Sequence, residues 1–381
     1  PPPPPPPGPP PPPPPEKKKK KHPRPPPLTP LTPLSRPPLS AVAPATKENA
    51  LDAAAAEGRF HGCLEDDDDD AYVAALSPTT TRRITVSDDD LNNNIGVVAD
   101  GGALVLDGIL SQGECARLVE KVLASPELSF WSTTEDRFAR RFRDARTLEA
   151  RLPSLATRLW HRIEGLVVPW LQKRHGLQED GTIERKDDAL LDPTDDQDDD
   201  RWRIAGLNDD FLFATYPAGG AFAPHTDGVT RKTLNRRSLF SIIIYLNDCS
   251  DGGGGETRFY DADVVDRAVL DASEDRWTAK HDEPHRGDVR PAPGRLLLFD
   301  QALVHEGRPP KGPKGQKHII RSDLLFERER PIFDGPNDRA AFDAYERACH
   351  DAGDGRHGDA VRLFERCRKL SPKLASRLLG A

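Results

Sequence analysis

The stretch Asp210-Phe211-Leu212-Phe213-Ala214-Thr215-Tyr216-Pro217-Ala218-Gly219-Gly220-Ala221-Phe222-Ala223-Pro224-His225-Thr226-Asp227 decides how this chain is read. Asp210 to Tyr216 has the aromatic and β-branched content of a strand, Pro217 to Gly220 is a turn, and Phe222 leads into a second extended segment. Downstream, Ser238 to Leu246 is nearly continuously apolar, which predicts a strand buried on both faces. Asn247-Asp248 closes it as a turn, Gly252 to Gly255 reads as a flexible break, and Glu256 to Tyr260 as a short strand. Further on, Pro293-Gly294 precedes Arg295 to Asp300, then Gln301 to His305, then a Gly/Pro/Lys loop, then Lys317 to Phe326. Strand follows strand without a helical period between them, and that pattern predicts an antiparallel barrel or jelly roll.

The chemistry-bearing residues sit on this frame. Residues i and i+2 of a strand share a face, so His225 and Asp227 can present an imidazole and a carboxylate to one ion. His305 supplies a second imidazole, and two histidines with one carboxylate suit a ferrous ion that keeps positions open for other ligands. A His-x-Asp pair alone is a short pattern that surface loops also produce; its place after a strand and a turn gives it weight.

These residues resemble the 2-oxoglutarate and Fe(II)-dependent dioxygenases of the prolyl 4-hydroxylase type. The similar pieces are Tyr216 to Gly219, Pro224 to Asp227, Ile244 to Asn247, Gly254 to Phe259, Pro293 to Phe299, His305 to Gly307 and Lys317 to Asp323. The resemblance implies a double-stranded β-helix core and a metal held by His225, Asp227 and His305. It implies Fe(II), 2-oxoglutarate and O2, with ascorbate as accessory reductant, and oxidative decarboxylation to succinate coupled to hydroxylation of a C–H bond. Lys317 is its first candidate for the far carboxylate of 2-oxoglutarate and Arg321 the reserve, each weighed against an ordinary solvated cation. Tyr216 and Tyr245 fall where the family sets phenols against the co-substrate, and a core tyrosine with a satisfied hydroxyl is the competing reading. A peptide or protein substrate, prolyl above all, follows from resemblance alone. A small metabolite or free amino acid, an inactive relative acting as a Pro-rich scaffold, and another jelly-roll metalloenzyme stay open.

Helices are expected to flank the barrel. Ala103 to Leu110 reads as a strand, Ser111-Gln112-Gly113-Glu114 as a capping box opening a helix to about Leu123, and Leu152, Leu155, Leu159, Ile163 and Leu166 as one face of another. Beyond Phe326 a helical C-terminal hairpin is expected, where Ala360, Phe364 and Pro372 have the spacing of half a tetratricopeptide repeat. The expected organisation is a disordered Pro-rich tail over 1–95, the dioxygenase domain over 96–332 and the helical extension over 333–381.

Composition bounds the remainder. Among 381 residues, 39 prolines with 36% hydrophobic content point to a disordered part, and Pro1 to Pro15 with Pro27 to Pro33 favours polyproline II, a ligand for SH3, WW or profilin-type modules. Net charge is -8, so the run Lys17 to Lys21 gives no clear nucleic-acid signal, and Asp66 to Asp70 and Asp195 to Asp200 read as solvated loops. Nothing approaches a membrane-spanning apolar run. Five scattered cysteines favour a reducing compartment, cytoplasmic or nuclear. The chain starts on Pro1 and has no methionine, which reads as an incomplete amino terminus and keeps the endoplasmic reticulum open.

Overall fold

Each long strand carries two apolar faces, and those faces decide the architecture of the computed structural model, which describes residues 96–98, 102–132, 135–184, 201–249, 252–312, 315–353 and 355–379. In chain order the strands are β1 (Gly96–Val98), β2 (Ala103–Leu106), β3 (Ser129–Phe130), β4 (Arg146–Arg151), β5 (Thr182–Glu184), β6 (Arg201–Leu207), β7 (Asp210–Tyr216), β8 (Phe222–His225) and β9 (Arg231–Thr233). They continue as β10 (Arg236–Tyr245), β11 (Thr257–Phe259), β12 (Val269–Asp271), β13 (Arg276–Thr278), β14 (Gly287–Val289), β15 (Leu296–Asp300), β16 (His305–Gly307) and β17 (Lys317–Arg328). The larger sheet runs β1-β2-β15-β10-β17-β7-β4-β3, with β6 on β17 and β9 on β10, and the smaller runs β14-β11-β16-β8. From β7 to β17 the chain shuttles between the two sheets through antiparallel pairings, which is the double-stranded β-helix, or jelly roll.

Alternation sorts the side chains. On the larger sheet Phe211, Phe213, Phe240, Ile242, Ile244, Leu296, Leu298 and Ile320 join a cluster on the outer face. Their neighbours Ala214, Tyr216, Ile243, Tyr245, Leu297, Phe299 and Ile319 join Phe259 and Val289 of the smaller sheet inside the barrel. Two helices cover the outer face: α1 (Gln112–Ala124), through Cys115, Leu118 and Val122, and α3 (Pro153–His175), through Leu155, Leu159, Ile163 and Leu166; the short α2 (Arg137–Phe142) packs instead against β8 and β13. The expected capping box is present, Glu114 N–H donating to Ser111 Oγ at 3.3 Å and Ser111 N–H to Glu114 Oε2 at 2.7 Å. Trp170 is buried in the same layer and Trp160 packs at its margin.

Several expectations change. β2 stops at Leu106 because Gly108 turns the chain with φ 74°, four residues short of the expected strand end at Leu110. Gln301 to Leu303 is a turn rather than a strand, and β16 begins only at His305. The C-terminal hairpin is α4 (Pro336–Gly353) and α5 (His357–Leu370), and α6 (Pro372–Leu379) adds a third helix. Phe342, Cys367, Leu374 and Leu378 close a separate core there, into which the barrel contributes Leu234. Ala360 is buried in α5 and Pro372 starts α6. The Pro-rich tail, the lysine run and the acidic runs lie outside the described residues. Among the described residues Cys115, Cys249, Cys349 and Cys367 are unbridged, and no helix is long and apolar enough to cross a membrane.

Candidate metal centre

β8 and β16 are hydrogen-bonded neighbours, and their register sets His225 directly opposite His305. Asp227 lies two residues past the end of β8, so the expectation that one strand carries both ligands is corrected: its amide leaves the sheet to donate to the Gln301 carbonyl at 3.2 Å. The extended chain still brings the carboxylate to the same side. One ligand atom from each of His225, Asp227 and His305 lies within 4.8 Å of the other two. Nε2 of His225 is 3.7 Å from Asp227 Oδ1, and Nε2 of His305 is 3.8 Å from Asp227 Oδ2.

Both rings are fixed from behind. His225 Nδ1 lies 2.7 Å from the Ala223 carbonyl and His305 Nδ1 lies 3.0 Å from the Leu303 carbonyl, contacts that place the ring proton on Nδ1 and leave Nε2 with its lone pair directed inward. Phe222 stacks on His225 at 3.6 Å between ring centres, and Phe299 meets His305 edge-on at 4.7 Å. Burial, then the neighbouring His305, holds the His225 imidazole well below its ordinary range, and burial lowers His305. Burial pushes the Asp227 carboxyl up, but Arg321 and the two imidazoles outweigh it and leave it below the usual carboxylate range. Neutral imidazoles beside an ionised carboxylate are the protonation states a divalent metal requires. Asp227 Oδ2 is buried with no hydrogen-bond partner, an arrangement that a bound cation would satisfy.

Lys317 lies deeper in the barrel, 2% exposed, at the start of β17 and opposite Tyr216 of β7 in register. Its ammonium donates to the Gly255 carbonyl at 3.1 Å and sits 4.8 Å from the centre of the Tyr216 ring. Burial pushes it down to about 8. Tyr245 projects from β10 into the same interior, its hydroxyl 2.6 Å from Thr257 Oγ1. His318 alternates away from Lys317 and meets Thr215 Oγ1 at 3.1 Å. Arg321, four residues on, is not beside Lys317: its Nη2 is 3.4 Å from Asp227 Oδ1 and 3.7 Å from Asp323 Oδ1. Asp323 accepts from Thr230 Oγ1 at 2.8 Å, Gln301 Nε2 at 3.1 Å and Asn208 Nδ2 at 3.3 Å.

Three further charged side chains surround the site, and of these Arg143 lies outside every motif read in the sequence. Arg143, just past α2, is 4% exposed with its guanidinium 4.8 Å from the Phe222 ring that backs His225. Glu306, next to His305 and fully buried, accepts from Tyr260 at 2.7 Å, Thr278 at 2.7 Å and Arg276 at 2.9 Å, which ties the Asp261 to Arg290 insertion to β16. Arg258 makes a two-pronged pair with Asp288 at 2.7 Å.

Residues 211–322 match the sequence profile of the 2OG-Fe(II) oxygenase superfamily. No curated protein sequence matches the chain. Among solved structures, a Trichoplax adhaerens prolyl hydroxylase in complex with a hypoxia inducible factor oxygen degradation domain peptide fragment is 17% identical, over 68% of this chain and 89% of its own, with a TM-score of 0.36. A Pseudomonas putida prolyl-4-hydroxylase is 18% identical over 63% and 96%, with a TM-score of 0.33. HygX from Streptomyces hygroscopicus, with nickel and 2-oxoglutarate bound, is 14% identical over 64% and 87%, with a TM-score of 0.35.

Proposed function

We propose that this chain, a member of the 2OG-Fe(II) oxygenase superfamily through residues 211–322, is an active dioxygenase that hydroxylates a peptidyl residue, with proline as the leading substrate. The observation that carries the reading is the meeting of His225, Asp227 and His305, ligand atoms within 4.8 Å, in the protonation states a divalent metal needs. Bound Fe(II) with 2-oxoglutarate and O2 would supply the oxidising chemistry, which no side chain here can provide.

The protein's own part is positioning. The backbone carbonyls of Ala223 and Leu303 and the rings of Phe222 and Phe299 hold the imidazoles to one orientation. In this reading Lys317 receives the far carboxylate of 2-oxoglutarate as a charge-assisted pair in a site closed to water, with Tyr216 and Tyr245 as walls and Arg321 kept for the metal side. Ascorbate serves as reductant. The catalytic domain is assigned to 96–332, the helical extension to 333–381, and the tail over 1–95 to binding of polyproline-reading modules.

The test is succinate release by the full chain with iron, ascorbate and 2-oxoglutarate, wild type against His225→Ala, followed by mass spectrometry of candidate peptides for a gain of one oxygen. Turnover abolished by the substitution is expected. Metal uptake without succinate release would sink the catalytic reading in favour of a binding role.

A further inference from the structure

The two oxygens of Asp227 are in different situations. Oδ1 faces His225 Nε2 at 3.7 Å and the Arg321 guanidinium at 3.4 Å, whereas Oδ2 faces His305 Nε2 at 3.8 Å and is buried without a hydrogen-bond partner. Arg321 is itself held, 3.7 Å from Asp323 Oδ1, and Asp323 is fixed by Thr230, Asn208 and Gln301. Gln301 closes the loop through its carbonyl, which accepts the Asp227 amide at 3.2 Å, and through its side chain, which accepts Ser238 Oγ at 3.0 Å. The half-buried Arg321 and the buried Asp323 and Gln301 thus form one frame around the outer edge of a single carboxylate.

That frame matters because a carboxylate can meet a metal through one oxygen or through both. In an octahedral site two imidazoles and one carboxylate oxygen take three positions and a chelating keto acid takes two, which leaves one. A second oxygen from Asp227 would fill it. We infer that Arg321 is a positioning residue that engages Oδ1 of Asp227, holds the carboxylate to a one-oxygen contact through Oδ2, and so keeps the last coordination position open. The inference rests on the Fe(II) and 2-oxoglutarate reading of the site, and it gives Arg321 a role separate from that of Lys317.

Nitric oxide is a suitable probe, since it occupies an open ferrous position and the adduct is read by electron paramagnetic resonance. The full chain is loaded without air with Fe(II) and 2-oxoglutarate, and wild type is compared with Arg321→Met, Arg321→Lys and Asp323→Asn. Binding of 2-oxoglutarate is followed by its visible charge-transfer absorption and folding by thermal melting. Arg321→Met is expected to lower the affinity for nitric oxide about tenfold or more while 2-oxoglutarate half-saturation stays within about threefold, and Arg321→Lys to recover part of the loss. Wild-type nitric oxide binding in Arg321→Met overturns the inference. So does a rise of about a hundredfold in 2-oxoglutarate half-saturation with unchanged nitric oxide binding, which would put Arg321 on the co-substrate. Should Arg321→Met fail to fold, Arg321→Lys and Asp323→Asn carry the same comparison. A wild type that gives neither absorption nor adduct overturns the reading of the site, and the inference with it.

Discussion

Lys317 shows what the site costs at the scale of one residue. Its ammonium is buried, with a ring and one carbonyl for company, and desolvation moves its pKa from 10.5 to about 8. A base whose folded pKa lies below its unfolded value opposes folding while it is charged. The full penalty applies below pH 8, is relieved as pH rises toward 10.5, and is of order 3 kcal/mol. Lys317→Met should therefore gain roughly 1–3 kcal/mol in urea unfolding at pH 7 and raise the 2-oxoglutarate half-saturation about tenfold to a hundredfold. A variant that is both less stable and unchanged in half-saturation would remove Lys317 from the co-substrate site. Titration of the same group gives a second expectation: wild-type half-saturation climbs as pH passes 8, because the ammonium is lost, whereas Lys317→Arg shows a flat profile. Isothermal titration at stepped pH reads both.

Between residues and fold, the four glycines before β11 are an element in their own right. Gly252, Gly253, Gly254 and Gly255 have φ of 112°, 74°, 81° and 77°, so the run expected to be a flexible break is a fixed left-handed path. Gly255 N–H donates to the Pro309 carbonyl at 3.0 Å, Lys311 N–H to the Gly253 carbonyl at 2.8 Å, and the Gly255 carbonyl receives Lys317. A methyl group on Gly254 would overlap the Pro309 carbonyl oxygen, while one on Gly253 would enter open space. Gly253→Ala should then lose only the backbone strain, about 1 kcal/mol, and Gly254→Ala about 3 kcal/mol or more together with 2-oxoglutarate affinity. Equal losses by urea unfolding would refute the packed-path account. The contrast marks what was legible in the sequence. β7, β10, α1 and α3 were, because period and caps are local: Phe211 and Phe213 alternate, and Ser111 sees Glu114 three residues away. Gly254 was not, because its conformation is set by Pro309 and Lys311, far along the chain. The three candidate metal ligands, His225, Asp227 and His305, were visible as types and spacing. Arg143, Gln301 and the true neighbour of Arg321 were not, since only the register of distant strands brings them in.

For the molecule as a whole, the question is which parts the site depends on. The barrel interior and the layer under α1 and α3 share the larger sheet, so they stand or fall together. The helices α4 to α6 close a core of their own that takes in Leu234 of the barrel, and the segment leading into them is tied down by Asn235, which exchanges hydrogen bonds with Ile332 at 3.0 and 2.9 Å. Every side chain named at the candidate metal centre, from Arg143 to Asp323, comes from the barrel and its approach. Ending the chain after Asp334 should uncover Leu234, at about 2 kcal/mol, and lower the melting temperature. It should not remove the ligand-dependent part of stability. Fe(II) with 2-oxoglutarate near a hundred times the dissociation constant adds about 2.7 kcal/mol to any chain that binds only when folded, a rise of roughly 5 °C. That rise is expected in anaerobic melts of both the full and the shortened chain, and its loss is expected in His225→Ala of either length. A shortened chain that melts cooperatively but gains nothing from metal and 2-oxoglutarate would make the C-terminal helices part of the site, because the missing stabilisation could then be traced neither to unfolding nor to the ligands themselves.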